Sequence, residues 1–182
     1  MSALWVLGGL VALVGCGPAA EDIATAIGSD NPVMREDGAK IAQNYDDEVV
    51  VAALVGVLGD PNEKVRLNAI ESLATLAAES AAPRLIEVLG SDPSPKVKRA
   101  AADALGRLLA KDAAPALVAY VETFGPNDRA QLAGLWALGA IGAEGLPADT
   151  RKLTLDLLVA RREATADRYV RYNASAALRT LR

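Results

Sequence analysis

The 182-residue sequence contains no histidine. That removes the usual general base near neutral pH and the commonest imidazole ligand of transition metals. Catalytic signatures are missing too: there is no Gly-x-Ser-x-Gly elbow, no phosphate loop ending in Gly-Lys-Ser/Thr, and no Gly-x-Gly-x-x-Gly. Neither a catalytic centre nor a metal or cofactor is expected. Aromatic residues make up only 4% of the chain against 52% hydrophobic, so the core must be built from Ala, Leu and Val. Alternating β-branched and polar residues are scarce, and no Asn-Gly or Asp-Gly pair separates two apolar runs, which leaves helices.

Charge is unevenly spread. Residues 1–60 carry 2 Lys and Arg against 9 Asp and Glu, whereas residues 61–182 carry 17 against 14. With no Lys/Arg run longer than two and an overall charge of −4, nucleic acid is not an expected partner. The acidic triplet Asp46-Asp47-Glu48 precedes an apolar helix, where carboxylates favour the helix dipole and cap the first turn.

From Ala3 to Val14 the chain is unbroken by a polar side chain, shorter than the roughly 20 residues that a spanning helix needs and of signal-peptide length. It ends in Leu13-Val14-Gly15-Cys16, containing the only cysteine. This tetrapeptide resembles the lipobox of bacterial lipoproteins. The resemblance implies residues 1–15 as a signal peptide, lipidation at Cys16, residues 16–19 as lipidated cysteine and short tether, and 20–182 as the folded domain. Gly17 after the cysteine, rather than Asp, implies the outer membrane in a Gram-negative host. Met1-Ser2-Ala3 lacks the Lys or Arg of an ordinary signal. An uncleaved anchor or an apolar cap helix therefore stays open, and with it a cytoplasmic or inner-membrane location.

Beyond residue 19 the sequence repeats. Asp60-Pro61-Asn62-Glu63-Lys64-Val65-Arg66 and Asp92-Pro93-Ser94-Pro95-Lys96-Val97-Lys98 open successive copies, and Gly125-Pro126-Asn127-Asp128-Arg129-Ala130 opens a third. Each first helix then shows an apolar face spaced by four, four and three residues. The copies read Met34, Gly38, Ala42, Tyr45; Val65, Ala69, Leu73, Leu76; Val97, Ala101, Leu105, Leu108; Ala130, Gly134, Leu138, Ile141; and Val170, Ala174, Leu178, Leu181. The second place is always Gly or Ala, so a partner helix can approach closely. Second helices are predicted over 49–58, 82–89 and 114–121, with 20–27 and 167–181 as half-repeat caps.

Asp-Pro, then Val-Arg or Val-Lys, then Ala and Ala-Leu, is similar to HEAT and HEAT-like repeats. The implied fold is all-α, an α-solenoid of about four two-helix repeats with half-repeat caps. The resemblance also implies a ladder of ion pairs, complete here as Asp60 with Arg66 and Asp92 with Lys98. The third copy has Gly125 and Gln131 at those places, and the last has Thr165 and Arg171. HEAT-like families include deoxyhypusine hydroxylase, whose iron is held by His-Glu pairs absent here. They also include bilin lyases, for which no site motif is found.

Partner-binding candidates follow from register. Trp136 stands where other copies hold Glu71 and Asp103, with Leu132 four residues before it. Either the two form an exposed patch, or the longer connection from Ala143 to Asp149 covers them. Solenoids commonly bind along a concave face, where Arg84, Glu87 and Tyr120 are candidates. The expected function is a lipid-anchored, non-catalytic adaptor that binds another protein in a bacterial envelope. The alternatives are a HEAT-like module without the lipid anchor and an accessory or lyase-like subunit holding a small ligand.

Overall fold

The computed structural model describes residues 18–144 and 146–181, together with the backbone of Trp5–Leu7 and Leu10–Ala12. Those two short segments pair antiparallel, Val6 opposite Val11. Cys16, where the lipidation expectation falls, lies outside the described residues. None of the described helices is long and apolar enough to cross a membrane.

The chain divides into two compact units, Met1–Ala81 and Ala82–Arg182. The first contains α1 (Ala20–Ile27), α2 (Pro32–Ile41), α3 (Glu48–Gly56) and α4 (Glu63–Thr75). The second contains α5 (Ala82–Ser91), α6 (Pro95–Arg107), α7 (Ala114–Glu122), α8 (Leu132–Ile141), α9 (Ala148–Ala164) and α10 (Arg168–Thr180). Within each unit the first helices of successive repeats pack on one another, α2 on α4 and α6 on α8 on α10. Second helices do likewise, α1 with α3 and α5 with α7 and then α9. The helices alternate as the periodicity predicts, in four two-helix repeats bounded by α1 and α10.

Local chemistry explains where the helices begin. Asn31, Asp47, Asn62 and Asp167 each accept the amide two residues ahead, satisfying a donor that the first helical turn leaves orphaned. Pro32, Pro95 and Pro115 stand in the first turn, where a missing N–H costs nothing. The ends of α4 and α6 share one device. Ala78 donates its amide to Leu73 O at 3.0 Å and Ala110 donates to Leu105 O at 3.0 Å, each closing a turn through a residue in left-handed conformation. Those residues are Ala77 and Leu109, both with φ of 51°.

Most of the predicted apolar faces are buried, with Val65, Ala69, Leu73, Val97, Ala101 and Leu105 fully so, while Met34, Tyr45 and Leu76 are half-buried. Small residues have the expected packing reason. A Cβ on Gly38 would lie 2.9 Å from Ile27 N and 3.0 Å from Ala26 Cβ, and one on Gly134 would lie 2.6 Å from Val121 Cγ2.

Two features depart from expectation. Ala130 is exposed, because Arg129–Gln131 form a 3-10 turn and α8 starts only at Leu132. A second helix that is not among those predicted, α9, follows the connection after Ala143, occupies 17 residues and buries Thr154, Leu157 and Leu158. Its charged residues, among them Arg151, Lys152, Arg161 and Arg162, obscure that narrow apolar stripe in the sequence.

Two predictions follow from the packing and the turns. Gly38→Ala should lower stability by about 1–3 kcal/mol, because backbone must move. Gly56→Ala meets nothing within 4 Å and should be neutral or stabilising by up to about 1 kcal/mol. Urea denaturation of both variants checks the contrast. By the same assay Leu109→Gly should gain up to about 1 kcal/mol, since the left-handed residue sheds its Cβ clash and loses only a side chain that is already 56% exposed.

Candidate functional site

The turn before α2, α4, α8 and α10 is held by a side chain reaching back to it. Arg66 donates to Asp60 O at 2.8 Å, Gln131 to Gly125 O at 2.9 Å and Arg171 to Thr165 O at 2.6 Å. Arg35 donates to Ser29 O at 2.9 Å, so the degenerate first copy carries the device as well. In each of these four cases the acceptor lies six residues upstream. Lys98 reaches further back, to Gly90 O at 3.1 Å. The clamp needs a donor and no particular charge, which is why Gln131 serves.

A carboxylate at the start of the turn has a second role. Asp60 accepts the Asn62 amide at 2.8 Å and also Arg35, from Nε at 2.6 Å and Nη2 at 3.3 Å. The ion pair thus runs from Arg35 of one copy to Asp60 of the next, while Arg66 holds the Asp60 carbonyl. Burial pushes the Asp60 carboxyl up, but hydrogen bonds from Arg35 and the Asn62 amide, with the charges of Arg35 and Arg66, outweigh it and leave its pKa lowered. Asp92 accepts the Ser94 amide at 2.8 Å. Ser29 and Thr165 hydroxyls take the equivalent amides, at 3.2 and 3.0 Å. Gly125 has no side chain to do so.

At Phe124, the residue before that glycine in the chain, the second unit opens into a cavity of about 850 Å³. The end of α5 and the turn after it contribute Leu89 and Pro93, and α7 contributes Ala116, Ala119 and Tyr120. Phe124 and Ala130 line it from the chain between α7 and α8, and Lys96, Lys98 and Arg99 come from the start of α6. The floor is apolar, with the Tyr120 and Phe124 rings edge to face at 5.0 Å. Tyr120 is 7% exposed, and its hydroxyl donates to Ala130 O at 3.3 Å. Burial raises its pKa against the opposing charge of Arg99, so the phenol stays protonated.

The sequence candidates fall in three places. Tyr120 walls the cavity and is buried, not outward-facing. Arg84 and Glu87 are exposed on α5 and pair with each other. Leu132 is half-buried and Trp136 is 42% exposed on α8. Trp136 lines a smaller groove of about 240 Å³ with Asn173, Ala176 and Thr180 of α10, and its ring lies where a Cβ on Gly106 of α6 would fall. The neighbours of Trp136 on this side are therefore helices. Lys96, Arg99 and Phe124 were not legible as site residues; the one available signal was the change from Asp to Gly at 125. Among the described residues no group of three His, Cys, Asp or Glu side chains is placed to hold a metal.

Comparison with known proteins agrees with this geometry. A family profile described as HEAT repeats matches residues 20–95 and 82–179. A chain from the complex of CpcE and CpcF of phycocyanin lyase from Nostoc sp. PCC7120 is similar at 27% identity with TM-score 0.71. That match covers 92% of this chain and 66% of that one. A designed armadillo repeat protein in complex with the peptide (KR)4 is similar in fold, at 16% identity and TM-score 0.66, over 90% and 82% of the two chains. A structure of the interaction between cadherin and beta-catenin matches at 15% and TM-score 0.62, covering 88% of this chain and 36% of that one. Among curated proteins none matches the sequence significantly.

The lowered pKa of Asp60 sets a pH dependence. A carboxyl whose folded pKa lies below its unfolded value stabilises the fold above the unfolded pKa of about 3.9, and that stability is lost as pH falls through the folded pKa. Wild type should therefore exceed Asp60→Asn in urea midpoint by a constant margin at neutral pH. The margin should shrink in acid below about pH 4. A margin that does not change with pH would assign the effect to packing alone.

Proposed function

The chain belongs to the HEAT-repeat family, and from that we propose a protein-binding scaffold held at a membrane by a lipid on Cys16. The observation that carries the binding role is the cavity of the second unit, whose apolar floor and cationic edge come from two successive repeats. A surface of that size with aromatic walls suits an inserted side chain from a partner. Structurally similar repeat proteins are known in complexes with protein or peptide partners, which supports the same use here. The anchor rests on the apolar run and Leu13-Val14-Gly15-Cys16. With only residues 17–19 before α1, the tether spans at most about 10 Å and keeps the array near the bilayer of a bacterial envelope, on the outer membrane in a Gram-negative host.

A second reading has its own support. Likeness to a chain of a phycocyanin lyase complex favours a lyase-like or accessory subunit, and about 850 Å³ lies within the usual range of small-ligand pockets.

Intact mass and fractionation of the native protein beside Cys16→Ala test the anchor. The expected result is a mature chain that starts at an acylated Cys16 and leaves the membrane fraction in the variant. An unprocessed chain beginning at Met1 removes the anchor from the proposal. A photo-crosslinking residue at the exposed cavity position Ala119 tests the binding role. Protein adducts support the scaffold, whereas a small-molecule adduct or a co-purifying chromophore favours the lyase-like reading.

A further inference from the structure

The copy that opens at Gly125 lacks an acceptor that the copies opening at Asp60 and Asp92 possess. Arg35 of one repeat reaches the Asp60 carboxylate at the start of the next first-helix turn. Lys98 occupies the Arg35 place, and the corresponding position in the following turn is Gly125. Lys98 accordingly makes one hydrogen bond, to Gly90 O, and has no carboxylate partner among the described residues. Its neighbour Arg99 is exposed and, among the described residues, forms no ion pair with a carboxylate. Both side chains line the cavity, above the floor formed by Leu89, Tyr120 and Phe124.

Charge at this edge is positive in balance. Asp92 is 8% exposed and accepts the Ser94 amide, and both it and Lys96 have further partners of their own. Asp128 caps the turn leading into α8 by accepting the Ala130 amide at 2.8 Å. Lys98 and Arg99 remain as donors with unused capacity beside an apolar recess. An incoming carboxylate gains charge-assisted hydrogen bonds there, at a rim where long cationic side chains are already partly desolvated by the wall.

We propose that this cavity takes an acidic segment of a partner protein. One carboxylate of that segment meets Lys98 and Arg99 where the array's own Asp is replaced by Gly125, and an adjacent bulky apolar side chain enters over Tyr120 and Phe124. The inference rests on the protein-binding reading above and names the partner's chemistry. Electrostatic complementarity of this kind sets specificity and association rate, while the inserted apolar group supplies most of the contact area.

Gly125 provides the decisive variant. A Cβ there meets nothing within 4 Å, and its φ lies outside the left-handed range, so Gly125→Asp places an internal carboxylate in the gap without a steric cost. The probe is a short fluorescein-labelled peptide with glutamates flanking one phenylalanine, measured by anisotropy with the full chain at low salt. Binding should fall about tenfold or more in Lys98→Ala, in Arg99→Ala and in Gly125→Asp. Gly125→Asp should unfold at the same temperature as wild type or higher, which separates competition from misfolding. The glutamine version of the peptide should bind at least about tenfold more weakly than the glutamate one. Equal binding of the two peptides, undiminished binding to Gly125→Asp, or no binding to wild type overturns the inference. If Ala119 crosslinks to protein while the peptide results fail, the scaffold reading stands and the acidic segment does not. If neither is seen, both fall.

Discussion

The first helices α2, α4, α8 and α10 each depend on a donor that reaches back to the turn before it. The turn between helices leaves carbonyls without helical partners, and a buried carbonyl that stays unsatisfied costs on the order of 1–3 kcal/mol. Arg35, Arg66, Gln131 and Arg171 meet that need at 2.6–2.9 Å on the carbonyl six residues upstream. With the turn fixed, the Asn and Asp caps aim correctly, and the first helix leaves at an angle that lets Gly38 or Gly134 touch the preceding second helix. The apolar period then finds its partners. Close packing is thus downstream of a polar contact, and the repeat is set more by this clamp than by the charge of the residue that makes it.

The ion pair between repeats is a secondary layer on the same turn. It requires a carboxylate at the turn's first place and a cation in the previous copy, as Arg35 and Asp60 have. Where the carboxylate is missing, stacking persists by other means in the second unit. Asn127 Oδ1 accepts from Thr165 Oγ1 at 3.2 Å and from Ala166 N at 2.7 Å, and Arg129 pairs with Asp167 at 2.8 Å. Arg129 also lies over the Tyr169 ring at 4.5 Å. Successive turns are therefore tied by whichever polar groups the local sequence offers.

Much of this was legible before any coordinates. The four-four-three spacing and the recurring Pro and Asp fix the helices, because those patterns report the backbone directly. The longest second helix, α9, was missed because its charges hide a narrow buried stripe of Thr154, Leu157 and Leu158. Ala130 was misplaced because the extended register assumes an α-helix where a 3-10 turn stands. The charged residues of the ladder were visible as charges, but their acceptors are mostly main-chain oxygens, which no side-chain pattern displays. Tyr120 was a concave-face candidate by its helix alone; its burial was not legible, because its hydroxyl bonds inward to a main-chain oxygen, Ala130 O.

The copy that departs from the pattern is also the copy beside the cavity, and the departures share one direction. Gln131 has two amide hydrogens for three carbonyls, at 2.9, 3.3 and 2.8 Å from Gly125, Pro126 and Asp128. Its Oε1 is buried without a hydrogen-bond partner among the described residues. An arginine offers more donors and no orphaned acceptor, as Arg66 and Arg171 show at the same place. Gly125 gives up an amide acceptor that Asp, Ser and Thr supply elsewhere, and Ala130 leaves the core. Each change weakens internal bonding in this one repeat, while the neighbouring copies keep theirs. Asn127 and Arg129 of the same turn compensate toward the following repeat, through Thr165, Ala166 and Asp167, but among the described residues no carboxylate meets Lys98 on the side of the preceding one. That concentration of losses around Gly125 explains why the recess opens here and why Lys98 and Arg99 stand at its edge.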